Sequence, residues 1–143
     1  MNIIITKNEI EEALKRESSL VSKGAFTANG ENLHEVLYID EHEFKVLESA
    51  YIDALSVITS TLSNFFAIEP QPNDLGLEFS LRKSYPEMES AIKSDIISYI
   101  VKRVMALWLT MVRPEQTAIY EKAAMAALNN LIHKLYYKAP PLR

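Results

Sequence analysis

The apolar residues of this chain recur with two different periods, and those periods assign most of its elements. Phe44, Leu47, Tyr51, Leu55, Ile58, Leu62 and Phe65 or Phe66 follow one another at three- and four-residue steps, the repeat of a single buried helix face. Asp40 precedes the run with Glu43 three residues later, a capping-box start. Pro70 and Pro72 close it, because proline lacks the N–H a helix needs and restricts the residue before it. The spacing predicts one helix over 40–66. A further start signal stands at Ser84-Tyr85-Pro86-Glu87. Beyond it Ile92, Ile96, Tyr99 or Ile100, and Leu107 trace one apolar face, while Ile97, Val101, Val104 or Met105, and Trp108 trace another. A helix apolar on two faces belongs at the centre of a body. Arg113-Pro114-Glu115 marks a break and restart, after which Tyr120, Ala124, Ala127, Leu128, Leu131 and Leu135 form a stripe down the last helix. Residues 85–137 are therefore expected to fold as an antiparallel helical hairpin, with alanines at 118, 123, 124, 126 and 127 allowing close approach.

Period two governs a shorter stretch. Leu75, Leu77, Phe79 and Leu81 alternate with smaller or polar residues, which predicts a half-buried strand that pairs either with residues around 33–39 or with another subunit. At the N-terminus the β-branched run of residues 2–5 reads as an edge strand or an apolar arm. Thr6-Lys7-Asn8-Glu9 then fits a capping box, and Ile10, Ala13 and Leu14 mark the apolar face of a helix ending before Gly24. Residues 24–39 hold the Asn29-Gly30 pair and no sustained period, so they read as a loop or hairpin connection and a candidate contact arm. The end, YYKAPPLR, is basic and extended, because Pro140-Pro141 cannot continue a helix. The expected class is mainly α: a bundle of about four helices with a short β-strand or hairpin and extended arms. One domain spans 1–143, divided into an N-terminal helix and loop arm (1–39), a helical core (40–137) and an extended tail (138–143).

Composition supports a folded body of this kind. A chain of 143 residues, 48% hydrophobic and 24% charged, is long enough for one real core and unlike disordered sequences. It contains no cysteine, which excludes disulfides, thiolate zinc sites and cysteine nucleophiles. The net charge of −4 conceals an asymmetry: residues 1–80 carry five Lys/Arg against fourteen Asp/Glu, and residues 81–143 carry ten against five. Two readings follow, attraction between halves of one body, or a bipolar molecule whose acidic face meets the basic face of a neighbour. The start of the chain has no basic leader and no small-residue cleavage site, so cytoplasmic synthesis is expected. The apolar stretch Ile96 to Val112 is interrupted by Lys102 and Arg103, which favours a buried helix over a membrane span.

Patterns that carry chemistry are missing. His34, His42 and His133 fall in different elements, and the two-ligand spacing of a helical metal site does not occur. The three glycines are scattered at 24, 30 and 76, outside any phosphate loop, and no G-x-S-x-G elbow exists. Asp95 is the acid closest to apolar walls. It is expected to form an ion pair with a neighbouring helix or with Arg103, the alternative being an enzyme pocket with Arg103 and Tyr99. Tyr99, Trp108, Tyr120, Tyr136 and Tyr137 with Arg103 and Lys134 suit a core better than a nucleic-acid surface, and a pI of 5.4 argues against sequence-specific nucleic acid. No catalytic residue, cofactor or metal ligand is assigned. The candidate contact residues are Phe26, Asn29 and Gly30 in the loop, Leu77 and Phe79 on the strand, and Tyr136, Tyr137, Pro140 and Pro141 in the tail.

The order of segments is ITKNEIEEALKRESSL, LHEVLYIDEHEFKVLESAYIDA, a proline-marked linker, DIISYIVKRVMALWL and YEKAAMAALNNLIHKL. This layout resembles small helical virion proteins of tailed bacteriophages and prophages, of the head–tail connector or neck type. In those families a helical bundle with extended arms forms a ring below the portal. Their last helix often begins with a Tyr-Glu pair, matched here by Tyr120-Glu121. The resemblance implies a structural, non-enzymatic protein whose partners are copies of itself and other virion proteins. The alternative is a bacterial helical adaptor or regulator that dimerises through its C-terminal helices.

Overall fold

The structure is a computed structural model that describes residues 2–23, 41–63, 66–68, 76–81 and 89–135. The chain is mainly α. In order it forms β1 (Asn2–Thr6), α1 (Lys7–Lys23), α2 (Glu41–Val46), α3 (Glu48–Leu62), β2 (Phe66–Ile68), β3 (Gly76–Leu81), α4 (Glu89–Val112), a 3-10 turn (Pro114–Gln116) and α5 (Thr117–Leu135).

Thr6 ends β1 and caps α1. Its Oγ1 accepts a hydrogen bond from the Glu9 N–H at 3.2 Å, satisfying one free donor of the first turn. The reciprocal half of the expected capping box is not made, because Glu9 Oε1 faces Lys93 Nζ at 3.4 Å instead. Ile10 and Leu14 are buried as the helical spacing predicts, and Ser18 continues the same face with its hydroxyl donated to the Lys15 carbonyl.

The helix expected over 40–66 is two helices. Leu47 interrupts it at φ −91°, ψ 2°, and its N–H bonds three residues back to the Phe44 carbonyl at 3.1 Å, tighter than an α-helical step. The apolar spacing runs unbroken through this point: Phe44, Leu47, Tyr51, Leu55, Ile58 and Leu62 are all buried. The C-terminal limit also moves, from 66 back to Leu62. Ile58-Thr59-Ser60-Thr61 includes three weak helix formers, and the Ser63 N–H and hydroxyl both turn onto the Ser60 carbonyl, which offers the backbone an exit. Phe66 consequently belongs to β2.

β1, β3 and β2 form a three-stranded antiparallel sheet in that order. Ile3 sits opposite Phe79 and Ile5 opposite Leu77, and β2 pairs with Ser80 and Leu81 through an irregular register. The expected strand is thus real, but its partners are β1 and β2 and lie within the chain.

α4 is the central element, packed on α5, α3, α1 and β1. Its two apolar faces bury Ile92, Ile96, Tyr99 and Ile100 on one side and Val101, Val104, Met105, Trp108 and Leu109 on the other. The first face is covered only part way. Continuing its repeat past Ile100 leads to Arg103, Leu107 and Met111, all exposed, so Leu107 lies outside the core to which its spacing assigned it. The hairpin forms as expected, with the 3-10 turn at Pro114. Of the five alanines in the last helix only Ala124 and Ala127 are buried, while Ala118 and Ala126 face outward.

Candidate interaction surfaces

α1 packs against α4, and charged side chains fasten the two. Glu9 pairs with Lys93, and Glu17 pairs with Lys102. Two turns before Lys102 on α4, Asp95 pairs with Lys134 near the end of α5. Asp95 therefore takes the neighbouring-helix ion pair expected of it. Arg103 is exposed, and its charge acts on Tyr99, whose hydroxyl is raised above its usual value by burial and drawn partly back by that cation. Two of these pairs join the acidic first half of the chain to the basic second half. Part of the charge division is spent inside the body.

The Glu17–Lys102 pair forms one wall of a corner between α1 and α5. The Lys102 ammonium also stands 5.1 Å from the centroid of the Tyr120 ring, within cation–π range. Burial raises the Tyr120 hydroxyl pKa, and the Glu17 charge raises it further, so the phenol stays neutral. An open groove of about 510 Å³ runs beside it, lined by Ala13, Arg16, Glu17, Leu20 and Tyr120. Leu20 is 68% exposed at its rim.

The sheet offers a different surface. Ile3 and Ile5 are buried, whereas Ile4 between them is 54% exposed, as strand alternation requires. Among the described residues no strand pairs with the outer edge of β1. Large exposed apolar side chains stand on the other elements too: Val46 and Ile52 on α2 and α3, Met111 on α4, and Ile119 and Met125 on α5.

Of the candidate contact residues, Leu77 and Phe79 lie on the central strand opposite Ile5 and Ile3. Phe26, Asn29, Gly30, Tyr136, Tyr137, Pro140 and Pro141 lie outside the described residues, as do the Asp40 and Ser84 capping signals. The sequence reading missed Ile4, Leu20, Ile119 and Met125 as surface features. The signal was present, since each is a large apolar residue that falls off the buried stripe of its own element. Among the described residues no group of three or more His, Cys, Asp or Glu is placed to hold a metal ion. No described helix is long and apolar enough to cross a membrane. No family model, curated protein or solved structure matches the chain.

Proposed function

We propose that this chain is a structural assembly protein of a phage or prophage particle, of the head–tail connector, neck or tail-associated type. It works without catalysis, through ring-type association of copies and contacts with other virion proteins. The observation that carries the reading is the spread of exposed apolar side chains over separate elements, from Val46 on α2 and Ile52 on α3 to Met111 on α4 and Ile119 on α5. Contacts with more than one neighbouring copy would draw on several elements in this way. The segment order and the acidic–basic division of the chain add support.

Negative-stain microscopy and native mass measurement of the purified chain, alone and with the portal protein of its own genome, test the proposal. Ring-shaped particles are expected. Monomers under both conditions, with no virion genes beside this one, would overturn it. Ile119 and Met125, exposed on the last helix, favour the second reading of an adaptor that dimerises through its C-terminal helices. A closed dimer dissolved by Met125→Glu would select that reading.

A further inference from the structure

Among the described residues β1 is an edge strand, and its own sequence lacks the features that ordinarily protect one. Exposed edges are blunted by charge, proline or a bulge, because their free N–H and C=O groups template pairing with another chain. The strand NIIIT has no charge and no proline, and its register with β3 runs unshifted from Asn2 to Thr6. The opposite edge differs. β2 is three residues long and its register shifts between Phe66 and Ile68. Among the described residues the sheet therefore has one edge competent for pairing, about 17 Å long.

We propose that β1 pairs antiparallel with β1 of a second copy about a two-fold axis at Ile4, joining two three-stranded sheets into one. The strand is complementary to itself. With the axis at Ile4, Ile3 stands opposite Ile5 of the second copy, and Asn2 stands opposite its Thr6. The buried isoleucines then share one face of the joined sheet, and the two exposed Ile4 side chains meet on the other. A slip of one residue would set core-facing positions against solvent-facing ones, and a slip of two would leave strand residues unpaired, so the axis at Ile4 is the register that pairs the whole strand. No charge lies in the strand to meet its like across the axis. A single strand pair buries less than the roughly 1,000 Å² of a durable interface, so the dimer is weak and concentration-dependent. A two-fold contact closes at two copies. It is separate from any ring contact and goes beyond the function proposed above.

The chain has no cysteine, so Ile4→Cys and Leu20→Cys each carry a single thiol at an exposed site. Residues directly opposite in an antiparallel pair have Cα atoms about 4.5–5.5 Å apart, within the span a disulfide bridges. Under mild oxidation Ile4→Cys is expected to form covalent dimer at least about tenfold faster than Leu20→Cys. In sedimentation the parent chain should dimerise as concentration rises, and Ile4→Lys should remain monomeric over the same range while keeping the parent circular dichroism. Equal cross-linking rates of the two thiol variants would overturn the proposal, as would a parent that stays monomeric to millimolar concentration. If Ile4→Lys fails to fold, the cross-linking comparison decides alone. Dimers lost on Ile4→Lys with no larger species support this pairing and count against rings. Larger assemblies that survive Ile4→Lys, with no preferential cross-linking, do the reverse.

Discussion

Thr6 joins two kinds of structure with one side chain, since it is both the last residue of β1 and the cap of α1. Thr6→Ala removes the acceptor for the Glu9 N–H and should cost about 1 kcal/mol in urea unfolding, with Thr6→Ser retaining most of it. Both the cap and the Ile10–Leu14 face were legible because they depend on residues within one or two helical turns. The state of the tyrosines was not legible, because it depends on what folds around them. Tyr51, Tyr99 and Tyr120 all have raised pKa values, with burial the largest cause in each case. The folded state thus holds these phenols neutral more strongly than the unfolded chain does. Their contribution is complete below the ordinary tyrosine value of about 10 and is lost as pH rises through the higher folded values. Denaturant unfolding measured from pH 9 upward should therefore show stability falling above about pH 10. Tyr120→Phe, which cannot ionise, should flatten part of that fall, and an unchanged slope in the variant would refute the assignment.

At the scale of elements, α4 decides the architecture, and its length exceeds its cover. Ile100 is fully buried, while Leu107 two turns on is 38% exposed. Ile100→Ala should cost about 2–5 kcal/mol as a core truncation, and Leu107→Ala under about 1 kcal/mol. The same contrast applies across the hairpin. Ala124→Leu forces side-chain volume into the α4–α5 contact and should cost about 1–3 kcal/mol, whereas Ala126→Leu on the outer face should change stability by no more than about 0.5 kcal/mol. Thermal or urea unfolding of the four variants checks the pattern. Apolar spacing made the helices legible and their limits less so. The break at Leu47 preserves the three-to-four repeat, so periodicity passes straight through it. Phe66 fits the end of a helix stripe as well as a strand, and only pairing with Leu81 of β3 separates the two. The full β1–β3 register was hidden for the same reason, because 69 residues separate its strands and no local rule chooses among partners. Leu107 was misplaced because apolar spacing can resume beyond Arg103 where the cover of the face has already ended.

For the whole molecule, the central question is what the opposite charges of the two halves do. Holding one body together and joining neighbouring copies make different demands on Glu17 and Lys102. Their side chains are 24% and 26% exposed in the pair, and Lys102 also rests against Tyr120. If the pair fastens α1 to α4, Glu17→Lys sets two cations together at this corner and Lys102→Glu sets two carboxylates together, so each single variant should be less stable. The double exchange restores opposite charges and should recover part of the loss. A coupling of about 1 kcal/mol is the expected size for a partly exposed pair, and screening should shrink it as salt is raised toward molar concentration. This coupling must persist at dilutions where the chain is monomeric, because both partners lie in one copy. A coupling near zero in the monomer would assign these charges to contacts between copies, where their reversal would weaken association and leave unfolding unchanged. The two outcomes are separable in one set of four proteins by measuring unfolding and sedimentation together.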